Sequence, residues 1–211
     1  MELSQKMNKS SKNLILISII LLFALILRLF FFSGIGASDS LDYAELAYKI
    51  SENDPDLKAN SSNLRLGLLF PTSILYSIFG VNEFSSNILI LLISLASIIL
   101  IYKFGVLLFN QKVGLLSAFL LSFFPLDVIY STKLMPDLPS AFFVALSVYL
   151  FLKSEKINKN LASNIYCLFS GLALGIAYLI KELSLLIGLF FIIYLIYNKR
   201  ISKRYLLIAL G

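Results

Sequence analysis

The chain has 211 residues, of which 59% are hydrophobic and 14% charged, leaving too much apolar surface for a water-soluble domain of this length to bury. Lys and Arg outnumber Asp and Glu by 18 to 12, yet they fall in blocks between apolar runs, a pattern of membrane topology rather than of nucleic-acid binding. With no His, no Trp and Cys167 alone in an apolar run, intrachain disulfides, Cys-rich metal sites and His-based acid–base chemistry are excluded, so catalysis would rest on carboxylates, Lys, Arg or Tyr.

The first apolar run, Leu14 to Phe32, follows Lys6, Lys9 and Lys12 and is long enough to cross a hydrocarbon layer of roughly 30 Å, so it reads as a signal-anchor helix. A signal peptide is the alternative, but its apolar stretch is shorter, and here Arg28 interrupts the far end with more apolar residues behind it. Residues 33 to 83 form a polar loop with two short helices. Across Ser40 to Ile50, Leu41, Ala44, Ala47 and Tyr48 recur at helical spacing, which suits a helix lying against the membrane surface. Gly67 to Phe79 is short and carries Pro71, so it is expected at, or dipping into, the interface.

Crossings are then expected at Ser85 to Tyr102, Val113 to Ile129, Leu138 to Leu152, Ile165 to Ile180 and Leu183 to Tyr197, with another beginning near Tyr205. Backbone groups in lipid must be satisfied internally and these runs are too long for barrel strands, so the fold class is an all-α polytopic bundle of about six to seven membrane helices, with juxtamembrane helices in the first outer loop. The last run is still open at Gly211, so 1–211 is expected to be one transmembrane module, truncated at its C-terminal side.

Charge sets the orientation. With the N-terminus inside, the inner segments hold twelve Lys and Arg against Glu2 and Glu155, and the outer segments and helix ends hold five against ten acids. The expected location is the cell membrane, with the N-terminus cytoplasmic and the 33–83 loop outside. Asp127, Tyr130, Lys133, Asp137, Lys181 and Glu182 then fall at or near outer helix ends, where they can converge on that loop.

Asp39 lies just beyond the first helix, ahead of the short amphipathic one. Its ordinary reading is an N-cap, which is compatible with catalysis because a capping carboxylate is held rigidly. Asp137, followed by Pro139, again suits the start of a helix, and two carboxylates on one membrane face are candidates for sharing a base or a divalent-metal role. Lys181 and Glu182 split two apolar stretches and read equally well as an interfacial turn with snorkelling side chains or as part of a site. Arg28 can snorkel to the outer headgroups, or pair with an anionic ligand or with Asp39. Asn60-Ser61-Ser62 matches a glycosylation acceptor triplet, a pattern common by chance. No phosphate-cradling loop, dinucleotide fingerprint or nucleic-acid motif occurs, so energy for an outer-face reaction would arrive with the substrate.

Several features come in a distinctive order: Arg28 at the end of the first helix; Asp39, Tyr43, Ala44 and Ala47; Arg65 and Pro71 before Phe79-Gly80-Val81-Asn82-Glu83; Leu108-Phe109; Pro125, Tyr130 and Asp137; and Gly171-Leu172-Ala173-Leu174-Gly175 leading to Lys181. This order resembles the GT-C superfamily of membrane glycosyltransferases, in the branch of protein O-mannosyltransferases and lipid A aminoarabinose transferases, over nearly the whole chain. The resemblance implies transfer of a sugar from a polyprenyl-phosphate carrier to an acceptor, with membrane lipid as surroundings and no nucleic acid. Asp39 matches the essential acid of the first outer loop and would be the base in a single, inverting displacement. Arg65, Lys133 and Lys181 are candidates for the departing phosphate, and Arg28, Asp42, Tyr43, Asp137 and Glu182 complete the candidate substrate-binding set. The loop lacks an Asp-x-Asp or Asp-Glu pair, offering Asp39 and Asp42 three apart, so a divalent metal, with Asp39 and Asp137 as its candidate ligands, stays an open reading. Two other readings compete: a non-catalytic membrane partner or degenerate transferase fragment, and a transporter of lipid-linked sugars. The transporter ranks third because the ionisable residues sit at helix ends rather than at the midplane.

Overall fold

Long apolar runs close their hydrogen bonds internally as helices, and the computed structural model, which describes residues 2–36, 39–53, 65–157 and 161–197, consists of helices joined by short turns among those residues. In chain order the elements are α1 (Glu2–Phe30), α2 (Asp39–Ser51), α3 (Leu66–Phe79), α4 (Glu83–Leu108), α5 (Gln111–Ser122), α6 (Pro125–Tyr130), α7 (Asp137–Lys156), α8 (Leu161–Ile180), a 3-10 turn (Glu182–Leu185) and α9 (Leu186–Tyr197). The glycosylation triplet and the run expected near Tyr205 lie outside the described residues.

Among the described residues, four helices are long and apolar enough to cross a membrane: Ser11–Phe30 of α1, α4, α7 and α8. The stretch expected as one crossing from Val113 to Ile129 is instead two helices, α5 and α6. Pro125 drives the preceding residue, Phe124, out of helical geometry (φ −63°, ψ 119°) and supplies no N–H, so α5 ends at Ser122. The crossing expected from Leu183 to Tyr197 likewise begins with a 3-10 turn and leaves α9 only 12 residues long. The chain is a multi-pass all-α membrane bundle, with shorter apolar helices beside the full-length ones.

Consecutive helices pack as antiparallel pairs. α4 opens on a capping box, in which Ser85 N–H donates to Asn82 Oδ1 at 2.8 Å and Asn82 N–H to Ser85 Oγ at 3.1 Å. It turns into α5 through Asn110, whose side chain accepts from the amides of Lys112 (3.0 Å) and Val113 (3.1 Å). α7 and α8 are joined by small polar side chains that let the helices approach closely in lipid. Ser170 Oγ donates to Ser147 O at 2.8 Å and Ser163 Oγ to Ser154 O at 2.9 Å, and just beyond α8 the hydroxyl of Ser184 in the 3-10 turn meets that of Ser140 at 2.7 Å.

The amphipathic reading of α2 holds, but its buried face differs. Tyr43, Ala44 and Ala47 pack against Leu68, Leu69 and Tyr76 of α3 and against Leu134 and Leu138, while Leu41 and Tyr48 are exposed. Protein covers Tyr43, Ala44 and Ala47, and leaves Leu41 and Tyr48 open to the surroundings.

Gly105 sits directly on Gly114: a Cβ at Gly105 would lie 2.5 Å from the Gly114 Cα, a backbone atom that cannot swing aside. Gly105→Ala should therefore destabilise the α4–α5 hairpin by about 1–3 kcal/mol. Thermal unfolding in detergent tests this, with a lower Tm than wild type expected. Gly188→Ala, whose added carbon meets only Leu174 Cδ2 at 3.8 Å, serves as the neutral control.

Candidate active site

Arg28 is 0% exposed, and an unpaired guanidinium in that position would be strongly unfavourable. Its donors are met from four directions. Nε donates to Ser94 Oγ at 2.7 Å, Nη1 to the carbonyls of Ala24 and Ser122 at 3.0 Å each, and Nη2 pairs with Asp127 Oδ2. Ser94 Oγ closes the network by donating to the same Asp127 oxygen at 2.6 Å. The Ser122 carbonyl is available because the helix stops there, at the break that Pro125 imposes. Arg28 thus lies inside the bundle with Asp127 as its partner, correcting the expectation of a headgroup position or an Asp39 pair.

One turn beyond this clamp, α1 ends and the chain is held again. The Ser33 N–H and hydroxyl each lie 3.2 Å from Thr132 Oγ1, so the segments 33–36 and 131–136 emerge side by side. Gly34 (φ +68°) passes under the Glu83 carboxylate, where a Cβ would come within 2.8 Å of Glu83 Oε2. These segments lead to the two carboxylates singled out in the sequence. Asp39 is the first residue of α2 and Asp137 the first of α7, where Pro136 holds the cap position, and each acid occupies a first helical turn, where the helix dipole favours it.

Contacts and chain neighbours relate these two starts. Asp39 is exposed, one turn before buried Tyr43 on the same face of α2. The Arg65 guanidinium lies 4.9 Å from the Tyr43 ring centroid. Two residues on, Gly67 is pressed against Ile180, with a Cβ position 2.7 Å from Ile180 Cγ1. The next residue, Lys181, donates from Nζ to Asp137 Oδ1 at 2.5 Å, and Leu138 returns to the cluster beneath Tyr43. Asp39, Arg65, Lys181 and Asp137 therefore rim one apolar cluster at one end of the bundle.

Below the rim, α3, α4, α7 and α8 border a half-open apolar cleft of about 550 Å³, lined by Gly67, Pro71, Ile93, Phe143, Ile176 and Ile180 among others. Its lining residues Leu66 and Ile180 directly adjoin Arg65 and Lys181 in the chain, while the Arg65 guanidinium lies over Tyr43 and the Lys181 ammonium on Asp137. Of the remaining candidates, Lys133 is half-buried in the 131–136 turn, Asp42 is exposed on α2, and Glu182 opens the 3-10 turn that Ser184 fastens to Ser140. Asp137 carries the Lys181 ammonium, and among the described residues no three His, Cys, Asp or Glu side chains gather to hold a metal ion.

Sequence reasoning missed the roles of Ser94, Thr132 and Asp127 as anchors. For Asp127 the signal was present: Arg28 and Asp127 each interrupt an apolar run, and two opposite charges within membrane runs are natural partners.

Comparison with known proteins adds one match. A family model described as dolichyl-phosphate-mannose-protein mannosyltransferase matches residues 67–211. No curated protein and no solved structure matches the chain.

Removing one member of the buried pair leaves the other charged and without its partner. Arg28→Met should destabilise the protein by about 3–5 kcal/mol, and Arg28→Met combined with Asp127→Leu should recover most of that loss. The check is Tm in detergent for both single variants and the double; equal, additive losses would mean that the two side chains do not depend on each other.

Proposed function

The chain belongs to the dolichyl-phosphate-mannose-protein mannosyltransferase family and is a membrane glycosyltransferase of the GT-C type, and from that premise we propose that it moves a sugar from a polyprenyl-phosphate carrier to an acceptor. The observation that carries this reading is the apolar cleft of about 550 Å³ between α3, α4, α7 and α8, whose lining residues Leu66 and Ile180 directly adjoin Arg65 and Lys181 in the chain. A polyprenyl phosphate has the matching polarity: a long apolar tail for the cleft and a phosphate for the two cations.

In the proposed reaction, Asp39 takes the proton from the acceptor hydroxyl as that oxygen attacks the anomeric carbon. The bond between the anomeric carbon and the carrier-phosphate oxygen breaks, its electron pair leaves with the phosphate, and the anomeric centre inverts. Arg65 offers paired donors to the departing phosphate and Lys181 a compact charge, released to it from Asp137; Lys133, in the neighbouring turn, is a further candidate. Tyr43 holds Arg65 by its ring face, and Asp137 keeps Lys181 poised when no donor is bound. Asp42 and Glu182 flank the carboxylate and the ammonium and bear on acceptor access. Arg28, with its donors engaged inside the bundle, positions the site from a distance.

The reacting face is proposed to be the outer one. The rim and its helices carry most of the acids, and the opposite helix ends carry Lys12, Lys103, Lys112, Lys153 and Lys156, which favours a cytoplasmic position for the latter under the positive-inside rule. The same reading makes 1–211 one transferase module in the cell membrane.

The test uses a radiolabelled polyprenyl-phosphate mannose with membranes of the expressing cell as acceptor. Asp39→Asn should lower transfer by about 100-fold or more at unchanged protein level, because general-base catalysis typically contributes 10²–10⁴. Arg65→Gln and Lys181→Gln should raise the apparent KM for the donor as well. Full activity of Asp39→Asn would remove its assignment as the base.

A further inference from the structure

We propose that the lysine-rich end of the bundle, opposite the candidate active site, is a binding site for the headgroup of an anionic phospholipid. Four elements bring their charges together there. Lys153, near the end of α7, has its ammonium 4.4 Å from the ring centroid of Tyr166 on α8 and 5.9 Å from that of Tyr149. Phe104 of α4 buttresses Tyr149 edge-on, at 5.3 Å between centroids. Lys156, one turn further along α7, donates from Nζ to the Leu107 carbonyl in the last turn of α4. Exposed Lys103 and Lys112 lie on either side of that turn in the chain. Lys12 joins the same end, because its neighbour Asn13 donates from Nδ2 to Gln111 Oε1 at 2.7 Å. Glu155 is the acid there among the described side chains.

The chemistry favours a phospholipid over a soluble anion. Leu108 and Phe109, on the turn between α4 and α5, are 48% and 71% exposed, and Leu161 at the start of α8 is 74% exposed. Apolar side chains beside lysines at helix ends match the boundary between headgroups and acyl chains, where tyrosines also concentrate. The two rings hold the Lys153 ammonium itself, whose three N–H groups still allow it to donate to a phosphate oxygen. Lys156, bonded to one carbonyl, has two further N–H groups. This site does not depend on the transferase reading.

The experiment is native mass spectrometry of the full chain in detergent, titrated with dioleoyl phosphatidylglycerol or dioleoyl phosphatidylcholine. Wild type should bind phosphatidylglycerol with an apparent Kd about tenfold lower than phosphatidylcholine, given the contribution of each lysine near an anionic headgroup. Lys153→Gln combined with Lys156→Gln should abolish that preference, and Lys49→Gln, at the other end, should keep it. If the double variant loses its wild-type unfolding transition, Lys103→Gln combined with Lys112→Gln takes its place and should weaken phosphatidylglycerol binding about fivefold or more. Equal affinity for the two lipids, an unaltered preference in a folded lysine variant, or displacement of phosphatidylglycerol by excess inorganic phosphate would overturn the proposal.

Discussion

A guanidinium inside a membrane bundle is tolerable only where every donor is met, and that requirement at Arg28 organises much of this structure. Its partners come from four elements: Ala24 within α1, Ser94 on α4, the Ser122 carbonyl at the end of α5 and Asp127 on α6. α1 presents most of its surface to lipid, with Ile15, Ile19, Leu22 and Ile26 more than half exposed, and packs on α4 and α5 through one apolar stripe, Ile17, Ile20, Leu21 and Ala24. The ion pair and its hydrogen bonds fix its register further. Pro125 is part of the same device. By ending α5 it frees the carbonyl that Arg28 uses and turns α6 so that Asp127 faces Arg28.

From the clamp outward, each contact fixes the next. Ser33 and Thr132 tie the exits of α1 and α6, and those two segments run on to the starts of α2 and α7. α2 has apolar residues enough to dock on α3 and on Leu134 and Leu138 but not to stand alone, so Asp39 is held where the docking surface puts it. On the far side, the absence of a side chain at Gly67 lets α3 lie directly on the end of α8, so that both helices line the same cleft. The result sorts polarity along the bundle: charged groups of both signs at the rim, an apolar cleft beneath, and lysines at the opposite end. An amphiphile whose reacting bond joins a lipid phosphate to a sugar meets the same order of environments.

The helical bundle and the rim residues were legible in the sequence because they rest on local signals. Runs of apolar residues marked the crossings, lysine blocks marked one set of ends, and first-turn acids marked the starts of α2 and α7. The break before Pro125 was legible in principle, since the residue preceding a proline leaves helical geometry, but an apolar run on both sides of it reads as one crossing. The pairings were not legible. Arg28 and Asp127 are 99 positions apart and Lys181 and Asp137 are 44 apart, and no local pattern tells which of several acids a buried cation meets. The docking of Tyr43, Ala44 and Ala47 on α3 was not legible for a similar reason: spacing identifies an apolar stripe but not which part of it another helix covers.

The central claim, that the cleft takes the apolar tail of a phosphate-headed lipid, is tested most directly by photo-crosslinking. A polyprenyl phosphate carrying a diazirine in its first isoprene units would be irradiated with the full chain in membranes and the modified peptides identified. The account predicts labelling of α3 and α8 around Pro71, Ile176 and Ile180, weakened by Arg65→Gln and Lys181→Gln. Labelling confined to other surfaces, or labelling of the cleft indifferent to both cations, would contradict it.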